Sequence, residues 1–378
     1  KPAMELFSQL GWSVQNCFYE SFKDSPSPPA PLPGGEGCNA QPQIQHSLTN
    51  SCPEGGKVNN MYLERETKGD VVLISKLKPV LQKINSDLPE VAIDEAIKVL
   101  TQDRSIMGMV SANREVYDLL KNGALVSFMN DKEEHISERV RFIDWNNIDN
   151  NDFFLASQFW VSGDMYTRRA DLVGFINGIP LIFIELKASH HNLKKAYDEN
   201  LRDYKSTIPQ LFWFNGIIIL SNGSQTRVGT VSAEWEHFSE WKKINSEGEQ
   251  GIVSLETVIR AVCGRERFLD ILENYTLFRD EKNGPIKIVA KNHQYLGVEN
   301  VIQRFVETFT PTLSQREREM LRIFPSPHGR RIEDEGASHR RLGVFWHTQG
   351  AGKTESMFFC SQKILRKILG NWTFVIVT

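Results

Sequence analysis

Asp171, Glu185 and Lys187 stand at the spacing D-x13-E-x-K in the run RRADLVGFINGIPLIFIELK, residues 168–187. Together they supply the two carboxylates and the lysine that hydrolysis of a phosphodiester requires. Such cleavage needs a hard cation held by carboxylate oxygens, with positions left over for water and phosphate. Asp171 and Glu185 are the expected Mg2+ ligands. Lys187 is expected to orient or help deprotonate the attacking water and to stabilise charge developing on the phosphoryl oxygens. For an isolated spacing of this kind, a buried strand with merely solvated ends is an equally good account. The context tips the balance, because IPLIFIELK is too apolar for an exposed strand, and a buried strand ending in Glu-x-Lys must pair or use its charges.

The elements that must hold these groups follow from the same run. Asn177-Gly178 lies between the apolar stretches 172–176 and 180–184, and Asn-Gly between β-formers is the strongest short-range hairpin signal. Side chains alternate along a strand, so Glu185 and Lys187 share a face while Leu186 turns to the core. The hairpin also carries a parity constraint. A regular two-residue loop pairs residues whose numbers sum to 355, which sets Asp171 opposite Ile184 and throws Glu185 to the other face. A shared site therefore requires either a three-residue loop, 177–179, or a single β-bulge in one strand.

Along the chain, residues 1–23 contain MELFSQLGW, an amphipathic helix pattern expected to pack on the domain that follows. Residues 24–58 are rich in Pro, Gly, Ser and Asn and read as a disordered insertion. Residues 62–127 read as helices; Glu95 on one of them is a further carboxylate for the metal site, or a solvated helix face. The sheet is expected from RVRFIDW, FFLASQFWVS, ADLVGFI, PLIFIELK and NGIIILSNG, within 139–228. Between its last two strands KKAYDENLRDYK reads as a helix with Asn200 and Tyr204 four apart on one face, which gives a strand–helix–strand crossover. Arg168, Arg169, Lys194 and Lys195 could meet phosphates, although solvated surface is the commoner fate of such residues; His190 and His191 have no third ligand nearby and stay unassigned. EWEHFSEWKKIN and VSLETVIRAVCGRERFLDILENY read as helices of a linker, 236–285.

From residue 286 a second domain is expected. His347-Thr348-Gln349-Gly350-Ala351-Gly352-Lys353-Thr354 matches GxxxxGK[ST] except for His347 at the first glycine, between an expected strand at 343–346 and a helix at 355–367 that leads to a strand WTFVIVT. Gly350, Ala351 and Gly352 let backbone N–H groups face the β-phosphate of ATP. Lys353 would reach the β- and γ-phosphates, and Thr354 a second Mg2+. Residues 314–341 read as a flexible insertion. The fold class is α/β: a mixed sheet flanked by helices over 59–235, then over 286–378 the beginning of a P-loop ATPase domain. No DExx carboxylate, second lobe or arginine finger follows, so the chain reads as a fragment that binds nucleotide weakly without turning it over.

Composition sets outer bounds. With 378 residues, 40% hydrophobic and 24% charged, the chain has ample core for two or three domains, and its net charge of −3 leaves any DNA contact to local patches. The five cysteines, Cys17, Cys38, Cys52, Cys263 and Cys360, lie at no metal-ligand spacing and fit a reduced cytoplasm. No apolar stretch of about 18 residues is present to span a membrane.

The hairpin with D-x13-E-x-K resembles the core of PD-(D/E)xK nucleases. The phrases DWNNIDNNDF, QFWVSG, RRADLVGFINGIPLIFIELK, TIPQLFWFNGIIILSNG and AKNHQYLGV resemble the restriction (R) subunit of type I restriction-modification enzymes over roughly residues 59–378. That resemblance implies a PD-(D/E)xK endonuclease domain followed by a RecA-like motor. It implies Mg2+-dependent cleavage of double-stranded DNA coupled to ATP-driven translocation, and a complex with specificity and methyltransferase subunits, the latter using S-adenosylmethionine. It makes Asn200 and Tyr204 the counterparts of a Gln-x-x-x-Tyr pair that supports the nuclease site, with Asn200 where glutamine is usual. It also makes Gln294 the counterpart of an adenine-reading glutamine in superfamily 2 motors. A helicase–nuclease fusion for DNA repair and a catalytically silent docking module are the alternatives.

Overall fold

Ten strands are described, in chain order β1 (Ser13–Asn16), β2 (Ala124–Met129), β3 (His135–Val140), β4 (Phe153–Ser162), β5 (Thr167–Ile176), β6 (Ile179–Leu186), β7 (Ile217–Ser221), β8 (Thr226–Gly229), β9 (Thr276–Glu281) and β10 (Gly284–Val289). The structure, a computed structural model, describes residues 2–20, 22, 63–129, 134–309, 348–368 and 370–375. The insertions expected at 24–58 and 314–341, the strand expected at 343–346 and His347 lie outside the described residues. The helices are α1 (Pro2–Gln9), α2 (Ile74–Ile84), α3 (Glu90–Thr101), α4 (Met109–Asn122), α5 (Leu193–Lys195), α6 (Arg202–Thr207), α7 (Pro209–Trp213), α8 (Leu255–Val262), α9 (Arg265–Asn274), α10 (Asn292–Phe309) and α11 (Lys353–Lys367). A π-turn, Ala196–Leu201, joins α5 to α6.

The central sheet is mixed, in the order β1-β4-β5-β6-β7-β8. β4, β5 and β6 run antiparallel as a meander, and β7 returns parallel to β6 through the expected crossover. β6 is buried from Ile179 through Glu185, as its unbroken apolar run requires. Phe183 packs on Phe212 of α7 at 5.2 Å and on Tyr204 of α6 at 5.4 Å, which ties the crossover helix to the strand that carries Glu185. Burying each such ring contributes roughly 1.5–3 kcal/mol.

The β5–β6 hairpin resolves the parity constraint by a bulge. Asn177 (φ 52°) and Gly178 (φ 76°) are both left-handed, the conformation of a two-residue type I′ turn. Ile176 pairs with Ile179 and Phe175 with Pro180, but beyond a register shift Gly174 pairs with Ile182, Val173 with Phe183 and Leu172 with Ile184. Leu181 is the extra residue, and its carbonyl instead accepts from Gly216 N (2.7 Å). One step further in this register Asp171 stands opposite Glu185. The three-residue loop does not form; the bulge alternative does. Pro180, which has no N–H for the ladder, sits next to the irregularity.

The turn itself is clamped by the Asp/Asn-rich loop before β4. Asn177 is fully buried; its amide donates to Phe142 O (2.8 Å) and Asn151 Oδ1 (2.9 Å), and its Oδ1 accepts from Asp152 N (2.7 Å). Gly178 O accepts from Leu73 N (2.8 Å), and a Cβ at Gly178 would lie 2.3 Å from Leu73 O, so no other residue fits there. Asn177→Ala removes these three hydrogen bonds, two of them buried, and is expected to cost ~2–4 kcal/mol in urea unfolding; a loss under ~0.5 kcal/mol would show that the turn does not depend on the clamp.

Several expectations are corrected. Residues 124–129, read with the helices, form β2, because Gly123 (φ 79°) ends α4 and the segment then alternates buried and exposed. RVRFIDW contributes no strand to the central sheet. Its first two residues end β3, which pairs only with β2, and Phe142 and Ile143 are buried in loop conformation. EWEHFSEWKKIN is not a helix beyond the single 3-10 turn Trp235–His237; Ser239 instead bridges Val228, and Phe238 and Trp241 anchor the chain in the core. Residues 371–375 form no strand, and 376–378 lie outside the described residues. β1, which pairs parallel with the edge of β4, was not expected. Among the described residues no helix is long and apolar enough to cross a membrane.

Candidate active site

The bulged hairpin brings Asp171, Glu185 and Lys187 together. Glu185 is 2% exposed. Its Oε1 accepts from Lys187 Nζ at 2.8 Å, while its buried Oε2 has no hydrogen-bond partner among the described residues. Burial, opposed by the Lys187 hydrogen bond and reinforced by the charge of Asp171, pushes the Glu185 carboxyl up from its ordinary 4.5 to about 7. Asp171 Oδ2 accepts from Leu186 N (2.9 Å), so the aspartate is anchored to the strand that carries Glu185. A buried carboxylate oxygen without a donor beside a second carboxylate suits a hard cation. Among the described residues no group of three or more His, Cys, Asp or Glu is arranged for a metal. Asp171 and Glu185 make a pair of carboxylates of the kind that Mg2+ accepts when water and phosphate complete its shell.

Gln158 is a neighbour that sequence reasoning gave no role. Its flanking residues pair as Ser157 with Leu172 and Phe159 with Ala170, which places Gln158 across from Asp171. Its backbone is left-handed (φ 57°), which a non-glycine residue inside a strand rarely adopts, and its amide reaches Asp171 Oδ1 at 3.4 Å. The only sequence signal was a polar residue in the middle of FFLASQFWV. Left-handed backbone at a glutamine has no sequence signature.

Tyr204 is buried behind the site. Its hydroxyl donates to Arg169 O (3.0 Å), and burial, followed by the charges of Glu185 and Asp171, pushes its phenol well up. Asn200 lies half-buried in the π-turn, and among the described residues its side chain makes no hydrogen bond to Asp171, Glu185 or Lys187. Arg168 is tied to Asp203 (Nη2–Oδ1 2.8 Å). Lys194, which lies 3.7 Å from Asp198, and Lys195 are exposed, as are His190 and His191, whose rings lie 4.3 Å apart at an interplanar angle of 39°. Glu95 pairs with Lys98 (2.7 Å) on α3, a solvated helix face rather than part of the site.

The glycine-rich loop forms a second cluster. Gly350 (φ 79°) and Gly352 (φ 77°) are left-handed, and α11 starts at Lys353. Gln294 Nε2 donates to Gly352 O (2.9 Å) and Gln294 Oε1 accepts from Lys291 N (2.8 Å). His293 Nε2 lies 3.0 Å from Ala351 O. Gln294 thus braces the loop backbone, and a Cβ at Gly352 would lie 2.4 Å from its amide. Lys353 and Thr354 are exposed at the helix start.

Residues 41–237 match the family model described as type I restriction enzyme R protein N terminus, and residues 293–378 match that of the SWI2/SNF2 ATPase. The chain is 31% identical over 336 residues to the type I restriction enzyme HindI endonuclease subunit of Haemophilus influenzae, covering 85% of this chain and 29% of that protein. It is 27% identical over 365 residues to the putative type I restriction enzyme MjaIXP endonuclease subunit of Methanocaldococcus jannaschii, 89% of this chain and 32% of that one. A type I restriction enzyme endonuclease subunit of Staphylococcus saprophyticus is 26% identical over 231 residues, 59% of this chain and 20% of its own. The chain spans about a third or less of the length of these relatives.

Proposed function

The chain belongs to the type I restriction enzyme R protein family, and from that premise we propose that it carries the DNA-cleaving site and the start of the motor of a type I restriction endonuclease. Residues 59–235 form a PD-(D/E)xK nuclease domain, residues 236–285 a linker, and residues from 286 onward the first part of a RecA-like ATPase lobe. The observation that carries the nuclease reading is Glu185, buried with one oxygen on Lys187 and the other without a donor among the described residues, opposite Asp171. The whole enzyme cuts double-stranded DNA in the cytoplasm, coupled to ATP-driven translocation. Specificity and methyltransferase subunits assemble with it and supply target recognition and the use of S-adenosylmethionine.

Asp171 and Glu185 would hold Mg2+, which when bound supplies Lewis-acid stabilisation of the phosphoryl oxygens. Lys187 keeps one N–H on Glu185, and its remaining ammonium donors can meet the scissile phosphate and the attacking water. Leu186 N fixes the Asp171 carboxylate, and Tyr204 fixes the β5 backbone at Arg169, so the first carboxylate keeps its place relative to the second. At the nucleotide loop, Lys353 and Thr354 would take the phosphates and a second Mg2+ of bound ATP, with Gln294 bracing the loop.

Calorimetric titration of Mg2+ into the chain tests the site. Glu185 titrates at about 7 against an ordinary 4.5, so its contribution to the stability of the metal-free fold is full below pH 4.5 and lost as pH rises through 7. Metal binding takes the anion and runs the opposite way. Affinity is expected to rise about tenfold per pH unit up to about 7, with one proton released, and to level off above it. Affinity independent of pH across this range would overturn the assignment.

A further inference from the structure

We infer that Arg169 is a DNA-phosphate contact of the nuclease site, held in an aromatic clamp by Trp160 and Phe18 for the phosphodiester next to the one cleaved. The inference rests on the nuclease reading of Asp171, Glu185 and Lys187. Arg169 and Asp171 are two residues apart on β5 and so project from the same face, about 7 Å apart along the strand, roughly one step along a nucleic-acid backbone. Trp160 is the direct cross-strand partner of Arg169. The guanidinium lies 5.2 Å from the Trp160 ring and 4.8 Å from that of Phe18. The two rings are coupled, since Trp160 Nε1 donates to Phe18 O (3.1 Å) and Phe18 N donates to Asn16 Oδ1 (3.0 Å).

The contrast with the preceding residue is the core of the argument. Arg168 spends its charge on Asp203, with two N–H groups on that carboxylate. Arg169 has no ion pair and donates to no protein acceptor among the described residues, although it is half-buried. A guanidinium faced by aromatic rings keeps its in-plane N–H fork for an oxyanion, and that fork matches phosphate geometry. Half-burying an uncompensated cation beside a site for a polyanion is costly unless the polyanion supplies the missing charge. Tyr204 holds the Arg169 carbonyl (3.0 Å), so the residue that supports the site also fixes the strand from which this arginine projects.

The test is fluorescence anisotropy with a labelled 20-base-pair duplex of arbitrary sequence, with Ca2+ replacing Mg2+ so that DNA binds uncut, on the wild-type chain and on Arg169→Ala, Arg169→Lys and Arg168→Ala. Arg169→Ala is expected to make the slope of log affinity against log salt shallower by about 0.9, the release of one counterion, while Arg169→Lys keeps the slope and Arg168→Ala leaves it unchanged. A merely structural role would lower the amount of active protein without changing the slope. Unchanged slope in Arg169→Ala, equal losses in both alanine variants, or no duplex binding by the wild type would each overturn the proposal. Mg2+ titration of Arg169→Ala separates this failure from that of the nuclease reading: the metal site should persist in that variant whatever its DNA slope.

Discussion

Lys187→Ala in the assembled enzyme is expected to lower DNA cleavage by at least ~10³-fold while ATP hydrolysis and translocation continue at near wild-type rates, and Asp171→Ala should do the same. Removing one preorganised charge from a water-poor site costs on that order. The separation of activities follows from placement, because Asp171 and Lys187 lie on β5 and at the end of β6, whereas the nucleotide loop is braced by His293 and Gln294 of α10. Plasmid linearisation and phosphate release, measured on the same preparations, check it. ATPase activity lost in parallel with cleavage would mean that these residues hold the fold rather than do the chemistry.

Lys363→Ala is expected to cost ~3–5 kcal/mol in urea unfolding, the largest stability loss foreseen for a single charge in this chain. Lys363 lies on α11, the helix that begins at the nucleotide loop, and its Nζ donates to Asp270 on α9 at 2.7 Å and pairs with Glu299 on α10. Tyr275 donates to the same glutamate. Burial works against the lysine's charge, but Asp270 and Glu299 outweigh it and raise its pKa, whereas burial raises that of Glu299. Truncation leaves the buried Asp270 carboxylate, and the partly exposed one of Glu299, without their cation. α9 in turn packs Phe268 toward Trp12, and Leu272 O accepts from Tyr117 of α4, so the network joins the nucleotide-loop helix to the body of the nuclease sheet. A loss below ~1 kcal/mol would mean that water screens the network.

Much of this was legible in the residues, and the reasons are specific. Asn177-Gly178 between apolar runs gave the hairpin, and the need for Asp171 and Glu185 to share a face demanded an irregularity; the shift at Gly174/Phe175 supplies it. What could not be read was structure that exists only through a partner. Ser13–Asn16 is four residues of mixed burial and is a strand only because β4 lies beside it. EWEHFSEWKKIN has helical spacing, yet Phe238 and Trp241 are worth more in the core than a helix would return, so tertiary packing overrides propensity. Gln158 reaches Asp171 through a backbone conformation that no sequence rule assigns to glutamine. Asn200 was placed by four-residue spacing on an α-helix, and the π-turn there changes the angular spacing on which that placement relied.

The most direct test of the central claim is plasmid cleavage by the assembled enzyme carrying Glu185→Gln, a change that keeps the shape of the side chain and replaces its carboxylate by a neutral amide. The account predicts no double-strand cleavage above background, with ATP hydrolysis retained. Cleavage at the wild-type rate by this variant would contradict it.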